Sequence, residues 1–426
     1  MKRKKNEKIF MAYADADGNV YDYEGKMPAF RYGYRFAEVK REELIPLPYG
    51  SYLFSLPDRY PVTFANGKFI PVTKDYFGKA INGVSAFLAS GYLRTFLPAF
   101  IKTKSNAVVL PLWAYCGVVC IDGQFYVPAL RIDDDPRSDP AIHENHNELK
   151  KAIKHVRGDL KDNRLVEQLS ICSTEYNCLC ARNFFLGRYE CPVPTSPACN
   201  ADCLGCFSYQ DGTSGFCQSQ LRLDFAPTPE EISQVILRHF KNVPHGVASF
   251  GQGCEGEPLL RGKDLARAIS IVREKTPDGT INLNTNGSRP EIVQELIDCG
   301  LDSIRVSMCS PTEKYYTLYH RPVNFKYSDV LKTVELALSK GIYVSINLFF
   351  MPGFTDSESE TDSLMSFLKN FPVNMIQTRN MNIDPDYFFE RISFKDQDAI
   401  GIRNLLALIR KDFKFVKLGY YNPSIR

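Results

Sequence analysis

The sequence of 426 residues predicts an α/β protein in which about six β-α units form a partial (β/α)6 barrel, similar to a TIM barrel, or an open α/β sheet, after an N-terminal mixed α+β domain. Three observations predict this fold. From about residue 207 onward, apolar segments alternate with amphipathic segments, as in a series of β-α units. The apolar segments are continuous, which is typical of parallel strands buried on both faces. Polar residues follow these segments directly, where the carboxyl ends of the strands carry the site in such folds.

The elements of the barrel follow from local signals along the chain. Thr228 is suited to cap the first barrel helix, and Pro229 fits its first position. Gly300 and Gly341 are C-cap residues that end two later helices. The helices are predicted at 228–240, 263–275, 290–299, 328–340, 357–370 and 396–411, and the strands near 184–189 and at 247–250, 280–284, 303–307, 343–350 and 374–377.

The first 150 residues have a different composition, rich in Tyr, Phe and Pro with short alternating runs. Asp17-Gly18-Asn19 and Asn66-Gly67 are typical of hairpin turns. A strand is predicted over 118–130 and a helix over 86–100. The expected domains are a mixed, mainly β domain at 1–150, a helical connector containing cysteines at 151–183, the barrel at 184–385, and a C-terminal helix and tail at 386–426.

The composition of 44% hydrophobic and 24% charged residues is that of a soluble globular protein. No apolar run approaches the roughly 18 residues of a membrane span. The basic N-terminal run, residues 1–8, has no apolar signal-peptide core after it, so the expected location is the cytoplasm and no membrane partner is expected. A net charge of +3 gives no reason to expect a nucleic-acid partner. The basic run is expected to be a solvated tail rather than a site for RNA or anionic lipid.

Three of the 13 cysteines, Cys199, Cys203 and Cys206, have the spacing C-x3-C-x2-C. An odd cysteine count in a reducing compartment argues against a disulfide framework and favours metal ligation for the clustered residues. Iron–sulfur cubanes are usually held by four Cys thiolates, so a loop that supplies three leaves one iron open to a small molecule. Pro197 and Gly205 interrupt regular structure and let the backbone wrap a cluster.

This loop, with the segments that follow it, resembles the radical S-adenosylmethionine (SAM) enzymes over residues 184–385. The resemblance implies a 4Fe–4S cluster on Cys199, Cys203 and Cys206, with SAM bound at the open iron. It also implies reductive cleavage of SAM to a 5′-deoxyadenosyl radical that abstracts hydrogen from a substrate, and an electron donor such as flavodoxin or ferredoxin. The alternative is a non-catalytic protein with a structural metal site, zinc or iron–sulfur; zinc normally takes four ligands in paired C-x2-C spacing.

The segment Gly251–Leu260 is similar to the Gly-Gly-Glu-Pro segment that follows the second strand in that family. The resemblance places Gly256 and Glu257 at SAM. A carboxylate and nearby carbonyls can hold an ammonium group, and glycine lets the backbone approach a ligand. Glu255 stands where the family often has glycine, which leaves open which glutamate faces SAM.

The resemblance implies that Ser307 contacts the SAM ribose or carboxylate, and it places Asn347 on the strand that usually backs the adenine. Asn284 and Asn286 end the strand before that of Ser307 and are further candidates to face SAM. A polar residue satisfied by its own protein is the alternative for each. The residue before the third cysteine is usually aromatic in the family, whereas here it is Gly205, and Phe207 is the candidate to replace it.

A second cysteine group, Cys172, Cys178, Cys180 and Cys191, is a candidate for an auxiliary iron–sulfur cluster. The alternative is that these are buried or loop thiols, and core packing is favoured for Cys116 and Cys120. The absence of cysteine after Cys309 argues against a C-terminal auxiliary-cluster extension.

Three arginines near strand ends are candidates for an anionic substrate or the SAM carboxylate: Arg305, Arg321 and Arg379. A structural role, tying the barrel to the N-terminal domain, is the alternative. The catalytic residues and the substrate are not identified by the sequence; peptide, nucleotide-derived and lipid-like substrates are all open.

Overall fold

A computed structural model describes residues 8–426, so the expectation for the basic N-terminal run falls almost entirely outside the described residues. The described N-terminal region is built from short antiparallel strands in several small sheets, the largest ordered β10-β14-β13-β1-β2 with β5 beside β14. The strands are β1 (Ile9–Ala14), β2 (Val20–Tyr23), β3 (Ala29–Tyr32), β4 (Arg35–Glu38), β5 (Leu44–Pro46), β6 (Tyr52–Leu56), β7 (Arg59–Ala65), β8 (Lys68–Pro71), β9 (Gly83–Phe87), β10 (Tyr92–Arg94), β11 (Leu97–Pro98), β12 (Phe100–Lys102), β13 (Val119–Ile121) and β14 (Gln124–Arg131).

The predicted helix at 86–100 is wrong, because this segment contains β10, β11 and parts of β9 and β12. Gly91 has a φ of +83° and turns the chain between β9 and β10, which a helix does not allow. Strand β9 is buried along almost its whole length, so it lacks the alternation that marks a half-exposed strand. Its sequence therefore looks helical although its surroundings make it a strand.

Three helices lead from this region to the barrel: α1 (His146–Asp159), α2 (Arg164–Thr174) and α3 (Leu179–Phe185). The first barrel strand, predicted near 184–189, begins later than expected. Phe184 and Phe185 end α3 and are buried in the core, and the chain then turns through Tyr189, whose φ is +43°.

The barrel is a curled half-barrel of seven parallel strands in sequential order, which confirms the predicted partial barrel and adds one strand at its C-terminal edge. The strands are β15 (Glu190–Pro192), β16 (Val247–Phe250), β17 (Thr280–Thr285), β18 (Ser303–Met308), β19 (Tyr343–Phe350), β20 (Met375–Asn380) and β21 (Lys417–Gly419). The helices are α4 (Pro229–Asn242), α5 (Gly262–Lys275), α6 (Pro290–Asp298), α7 (Glu313–His320), α8 (Tyr327–Ser339), α9 (Glu358–Asn370), α10 (Pro385–Arg391) and α11 (Ile402–Asp412).

The main hydrophobic core lies between this sheet and its helices, and β17 is buried at every position. The N-terminal region packs against the carboxyl end of the sheet. The amide nitrogen of Asn380, at the end of β20, donates to the carbonyl of Tyr92 at 2.9 Å, and its oxygen accepts from the backbone N–H of Arg94 at 3.0 Å. The end of the barrel where a site is expected is therefore covered by the N-terminal region. No helix of residues 8–426 has the length and apolarity needed to cross a membrane.

Candidate functional site

A cavity of about 510 Å³ opens at the carboxyl ends of the barrel strands. Inward-facing positions of neighbouring strands lie side by side, since Ser307 is in register with Asn347. The structure brings together around this cavity all nine residues predicted for the main site: Cys199, Cys203, Cys206, Gly256, Glu257, Asn284, Asn286, Ser307 and Asn347.

The cysteine loop follows β15 and is held by the chain after α7. The backbone N–H of Leu204 donates to the carbonyl of Tyr319 at 2.9 Å. Burial raises the pKa of the Cys199 thiol to about 11. The pKa of Cys203 is raised well above its usual value, mainly by burial and in addition by the nearby charges of ionised Cys206 and Cys199. Neighbouring thiolates that are shielded from water repel one another, and a cationic iron cluster removes that cost. The donor set therefore fits an iron–sulfur cluster with one open iron.

Each of the three sulfur atoms has an N–H donor from this chain. His320 accepts the backbone N–H of Cys309 on Nε2, at 3.3 Å, so its proton lies on Nδ1, which is 3.3 Å from the Cys203 Sγ. Burial lowers the pKa of His320 to about 3, so the ring is neutral. Arg222 Nη2 donates to Cys206 Sγ at 3.5 Å, and Cys199 accepts a bond from the backbone N–H of Ala201.

His320 and Arg222 are site residues that sequence analysis missed. His320 is 117 residues from Cys203 in the chain, and no local pattern connects the two. Arg222 lies in an irregular segment without a motif. Hydrogen bonds of this kind adjust the electron affinity of a cluster and hold its ligands.

Glu255 fastens the loop after β16 to the segment before the cysteines. One carboxylate oxygen accepts from the backbone N–H groups of Thr195 and Ser196, at 2.7 and 2.9 Å, and from the Thr195 hydroxyl. The other accepts from the N–H groups of Gly251 and Gln252, at 2.7 and 3.2 Å. Glu255, which departs from the family pattern, is therefore a structural anchor.

Glu257 is also engaged by the protein. Its carboxylate accepts from the backbone N–H of Leu259 at 3.1 Å and of Asn286 at 2.8 Å, and from the Thr285 hydroxyl. Burial raises the pKa of Glu257 to about 7, against the effect of these hydrogen bonds. Glu257 thus joins β17 to the loop that borders the cavity, and its contact with SAM stays a prediction.

Gly256 lies directly against the cysteine loop. A Cβ atom at Gly256 would be 1.9 Å from the carbonyl oxygen of Ala198, and the N–H of Gly256 donates to Ser196 at 2.7 Å. Only glycine permits this contact, which couples the two segments of the site.

The side-chain amides of Asn284, Asn286 and Asn347 differ in which of their hydrogen-bonding atoms have no partner. Asn284 donates to the carbonyl of Phe250 at 2.7 Å, and Asn286 donates to the side chain of Asn200 at 2.8 Å. Asn347 has a buried Oδ1 with no hydrogen-bond partner among residues 8–426. Asn347, which lies within β19, is therefore the amide among these three with an open acceptor at the cavity.

The space beside Gly205 is filled by another aromatic ring. A Cβ atom at Gly205 would be 2.8 Å from the hydroxyl of Tyr319, which extends from α7 and is buried. Phe207 also borders the cavity but is 37% exposed. The aromatic group next to the third cysteine is thus supplied by Tyr319, with Phe207 at the rim.

The second cysteine group is not among the residues that line the cavity. Cys172 shares a hydrogen bond with Cys254, which sequence analysis did not group with it, while Cys180 and Cys191 point to the backbone carbonyls of Glu190 and Pro192. Within residues 8–426, no three His, Cys, Asp or Glu side chains converge tightly enough to hold a single metal ion. An auxiliary cluster on Cys172, Cys178, Cys180 and Cys191 stays a prediction; Cys116 and Cys120 are buried in the N-terminal region.

The three candidate arginines separate into two groups. Arg305 and Arg379 line the cavity. Arg321 does not; it ends α7, and its guanidinium lies 3.2 Å from the carboxylate of Asp202. Arg321 therefore braces the cysteine loop.

Comparison with known proteins agrees with this geometry. Residues 193–365, which include the three loop cysteines, Glu257 and Asn347, match the family model of the radical SAM superfamily. The chain is 29% identical over 170 residues to GTP 3′,8-cyclase of Staphylococcus carnosus, an alignment that covers 39% of this chain and 47% of the relative. It is 26% identical over 182 residues to the FeMo cofactor biosynthesis protein NifB of Klebsiella pneumoniae, covering 39% and 38%.

The chain spans less than half the length of these curated relatives. Among solved structures, HydG, a maturase of the FeFe-hydrogenase, aligns with a TM-score of 0.38 at 16% identity over 67% of this chain and 66% of its own. Streptococcus suis SuiB bound to S-adenosylmethionine aligns with a TM-score of 0.38 at 14% identity, over 66% and 62%. The family match does not favour the alternative of a non-catalytic structural metal site.

Proposed function

Because residues 193–365 belong to the radical SAM superfamily, we propose that this protein is an enzyme that cleaves SAM reductively to act on a substrate still to be identified. One observation supports this most directly: the three loop thiols and the segment containing Gly256 and Glu257 open onto the same cavity. When bound, the cluster and SAM supply one electron and a 5′-deoxyadenosyl radical, which takes a hydrogen atom from the substrate.

The residues of this chain would bind and orient these groups. Cys199, Cys203 and Cys206 hold the cluster through thiolates, and no fourth cysteine lines the cavity in the described chain. Gly256 brings its backbone close to the loop, so that nearby carbonyls can accept from the ammonium group of SAM. Asn347, on β19, offers its Oδ1, which has no hydrogen-bond partner among residues 8–426, as an acceptor for SAM.

We further propose an electron donor of the flavodoxin or ferredoxin type and a cytoplasmic location, where the thiols stay reduced. Whether Cys172, Cys178, Cys180 and Cys191 hold a second cluster is decided by the iron count. One cubane gives about four irons per chain and two give about eight.

The test is anaerobic reconstitution with iron and sulfide, followed by incubation with SAM and dithionite. We expect bound iron and release of 5′-deoxyadenosine, and the loss of both in Cys203→Ala. Cys299→Ala, a thiol that packs against the core away from the cavity, is the matched control and should keep both. A reconstituted protein without iron, or a Cys203→Ala variant that still cleaves SAM, would contradict the proposal.

A further inference from the structure

Two arginines in the cavity have no ion-pair partner among residues 8–426. Arg305 and Arg379 both line it, and neither guanidinium forms an ion pair within the described part of the chain. Glu190 is the acid whose charge acts most strongly on Arg305, but its Oε1 is occupied by Ser249 and Asn422, at 2.6 and 2.7 Å. We call Arg305 and Arg379 the arginine pair.

The arginine pair is held in place by neutral groups. Arg305, from β18, donates from Nη1 to the Oε1 of Gln377 at 2.9 Å, and Arg379 Nη2 lies 3.5 Å from the same oxygen. Gln377 is fully buried, and its amide nitrogen donates to Asn422 at 2.7 Å, which fixes which end faces the arginines. The guanidinium of Arg379 stacks on Tyr420, 3.7 Å from the ring centroid.

This arrangement keeps two like charges close together and leaves one donor of Arg305 unused. The Nε of Arg305 is buried without a hydrogen-bond partner among residues 8–426. Burial and the charge of Arg379 lower the pKa of Arg305 to about 10, so it is still a cation at neutral pH. Rigid guanidinium groups with free donors are suited to bind the oxygens of a carboxylate or a phosphate, which would also remove their mutual repulsion.

The surroundings of the pair lie outside the segment shared with the superfamily. Arg379 and Tyr420 follow residue 365, where the family match ends, and Phe87, Leu88 and Ala114 of the N-terminal region line the same cavity. A superfamily with a common SAM chemistry and varied substrates is expected to place its substrate contacts in the parts that vary. Arg379, Tyr420 and this apolar wall therefore lie in a part of the cavity outside the family match, whereas Arg305 lies within it.

We propose that the arginine pair binds an oxyanion of the substrate, a carboxylate or a phosphate, with the apolar part of the substrate against Phe87, Leu88 and Ala114. This inference rests on the proposed function, and it narrows the substrate to a compound that carries a carboxylate or a phosphate group.

The test is calorimetric titration of the reconstituted full-length protein with inorganic phosphate and, separately, with acetate, at ionic strength held constant with potassium chloride. We expect saturable binding of at least one anion, and which one binds distinguishes the two chemistries. Arg305→Gln and Arg379→Gln should each weaken it about tenfold or more. Arg379→Lys, which keeps the charge and the fold, should retain part of the affinity. Arg410→Gln, an exposed arginine on α11, is the matched control.

Two results would overturn the inference. One is anion binding by the Arg305→Gln/Arg379→Gln double variant that equals binding by the wild type. The other is a fall in SAM affinity as large as the fall in anion affinity, because the pair would then hold the carboxylate of SAM. A wild-type protein that binds phosphate but never SAM would instead contradict the proposed function, so the two failures are distinguishable.

Discussion

At Gly256 a single methyl group would reach the cysteine loop. The Cβ of Gly256→Ala would lie 1.9 Å from Ala198, and backbone atoms cannot yield as a flexible side chain can. We expect displaced thiols, lower iron content after reconstitution, and SAM cleavage reduced about 100-fold, since a shift of about 1 Å suffices for such a loss. In the control Gly253→Ala, the nearest atom is the amide end of Gln220 at 3.3 Å, which can move. Full iron content and activity in Gly256→Ala would contradict the assigned coupling.

His320 should influence the cluster without binding it. His320→Phe preserves an aromatic ring but removes the Nδ1–H that lies 3.3 Å from Cys203 Sγ. Because this hydrogen bond stabilises the electron-rich reduced cluster, we expect a more negative midpoint potential in a redox titration followed by electron paramagnetic resonance. SAM cleavage should fall about tenfold. His320→Asn, which can place an amide N–H near the same sulfur, should restore part of the potential; an unchanged potential in His320→Phe would exclude this role.

The residues found from the sequence are those with a local pattern. Cys199, Cys203 and Cys206 have fixed spacing, and Asn347 lies in a recognisable strand, so their position at one cavity could be anticipated. Tyr319 and His320 reach the loop from α7, more than a hundred residues away, and only the packing of α7 against the loop brings them there. That contact is a property of the fold and has no trace in the spacing of residues.

At the level of elements, Glu231 joins two helices. Its backbone N–H donates to Thr228, its carboxylate accepts the N–H of Thr228 at 2.8 Å, and it pairs with Arg164 of α2 at 2.6 Å. These hydrogen bonds lower the pKa of Glu231 to about 2, and the bond from Arg164 has the largest effect. We expect Glu231→Gln to cost up to about 1 kcal/mol of unfolding free energy at neutral pH, because it removes the half-exposed ion pair with Arg164, while the Gln oxygen can still accept the N–H of Thr228.

The pH dependence of that loss has a definite sign. The folded pKa of Glu231 lies below its ordinary value of 4.5, so its contribution is present above about pH 4.5 and is lost as the pH falls toward 2. Urea unfolding of wild type and Glu231→Gln should therefore differ at neutral pH, and the difference should shrink below pH 4.5 and vanish as the pH approaches 2. Glu230→Gln, an exposed neighbour outside the capping box, is the control. A difference that persists at low pH would contradict this assignment.

Most barrel elements were predictable because they are encoded locally, by caps such as Thr228 and by continuous apolar strands. The elements that sequence analysis missed depend on distant partners. Strand β21 has three residues and is defined by its pairing with β20, where Gln377 is opposite Gly419. Strand β9 is buried on both faces by other parts of the N-terminal region, which removes the alternating pattern that identifies a strand.

At the scale of the whole molecule, the N-terminal region is part of the site. Phe87 and Leu88 line the cavity, and Asn380 at the end of β20 is bound to the backbone around β10. The sequence indicated that the N-terminal region is a separate domain of different composition. The surface of this region that meets the barrel is determined by contacts between the two parts, which the sequence does not show. The region should therefore affect substrate binding as well as stability.

The strength of this attachment can be tested at Arg59 and Asp384. Arg59 of β7 is fully buried, and its Nη2 lies 2.9 Å from the Asp384 carboxylate, which also accepts the N–H of Leu110 at 2.9 Å. Arg59→Met leaves a buried carboxylate without its cation, so we expect a loss of about 3–5 kcal/mol in unfolding free energy. The matched control is Asp398→Asn, which breaks an ion pair whose aspartate is 72% exposed and should cost less than about 1 kcal/mol.

Trp113, the only tryptophan, lies in the N-terminal region, so its fluorescence reports that region, while circular dichroism reports the helices, most of which belong to the barrel. In wild type the two signals should change together in urea, and in Arg59→Met the fluorescence should change first, because the N-terminal region is released before the barrel unfolds. Coincident transitions at unchanged stability in Arg59→Met would show that the buried pair does not hold the two parts together.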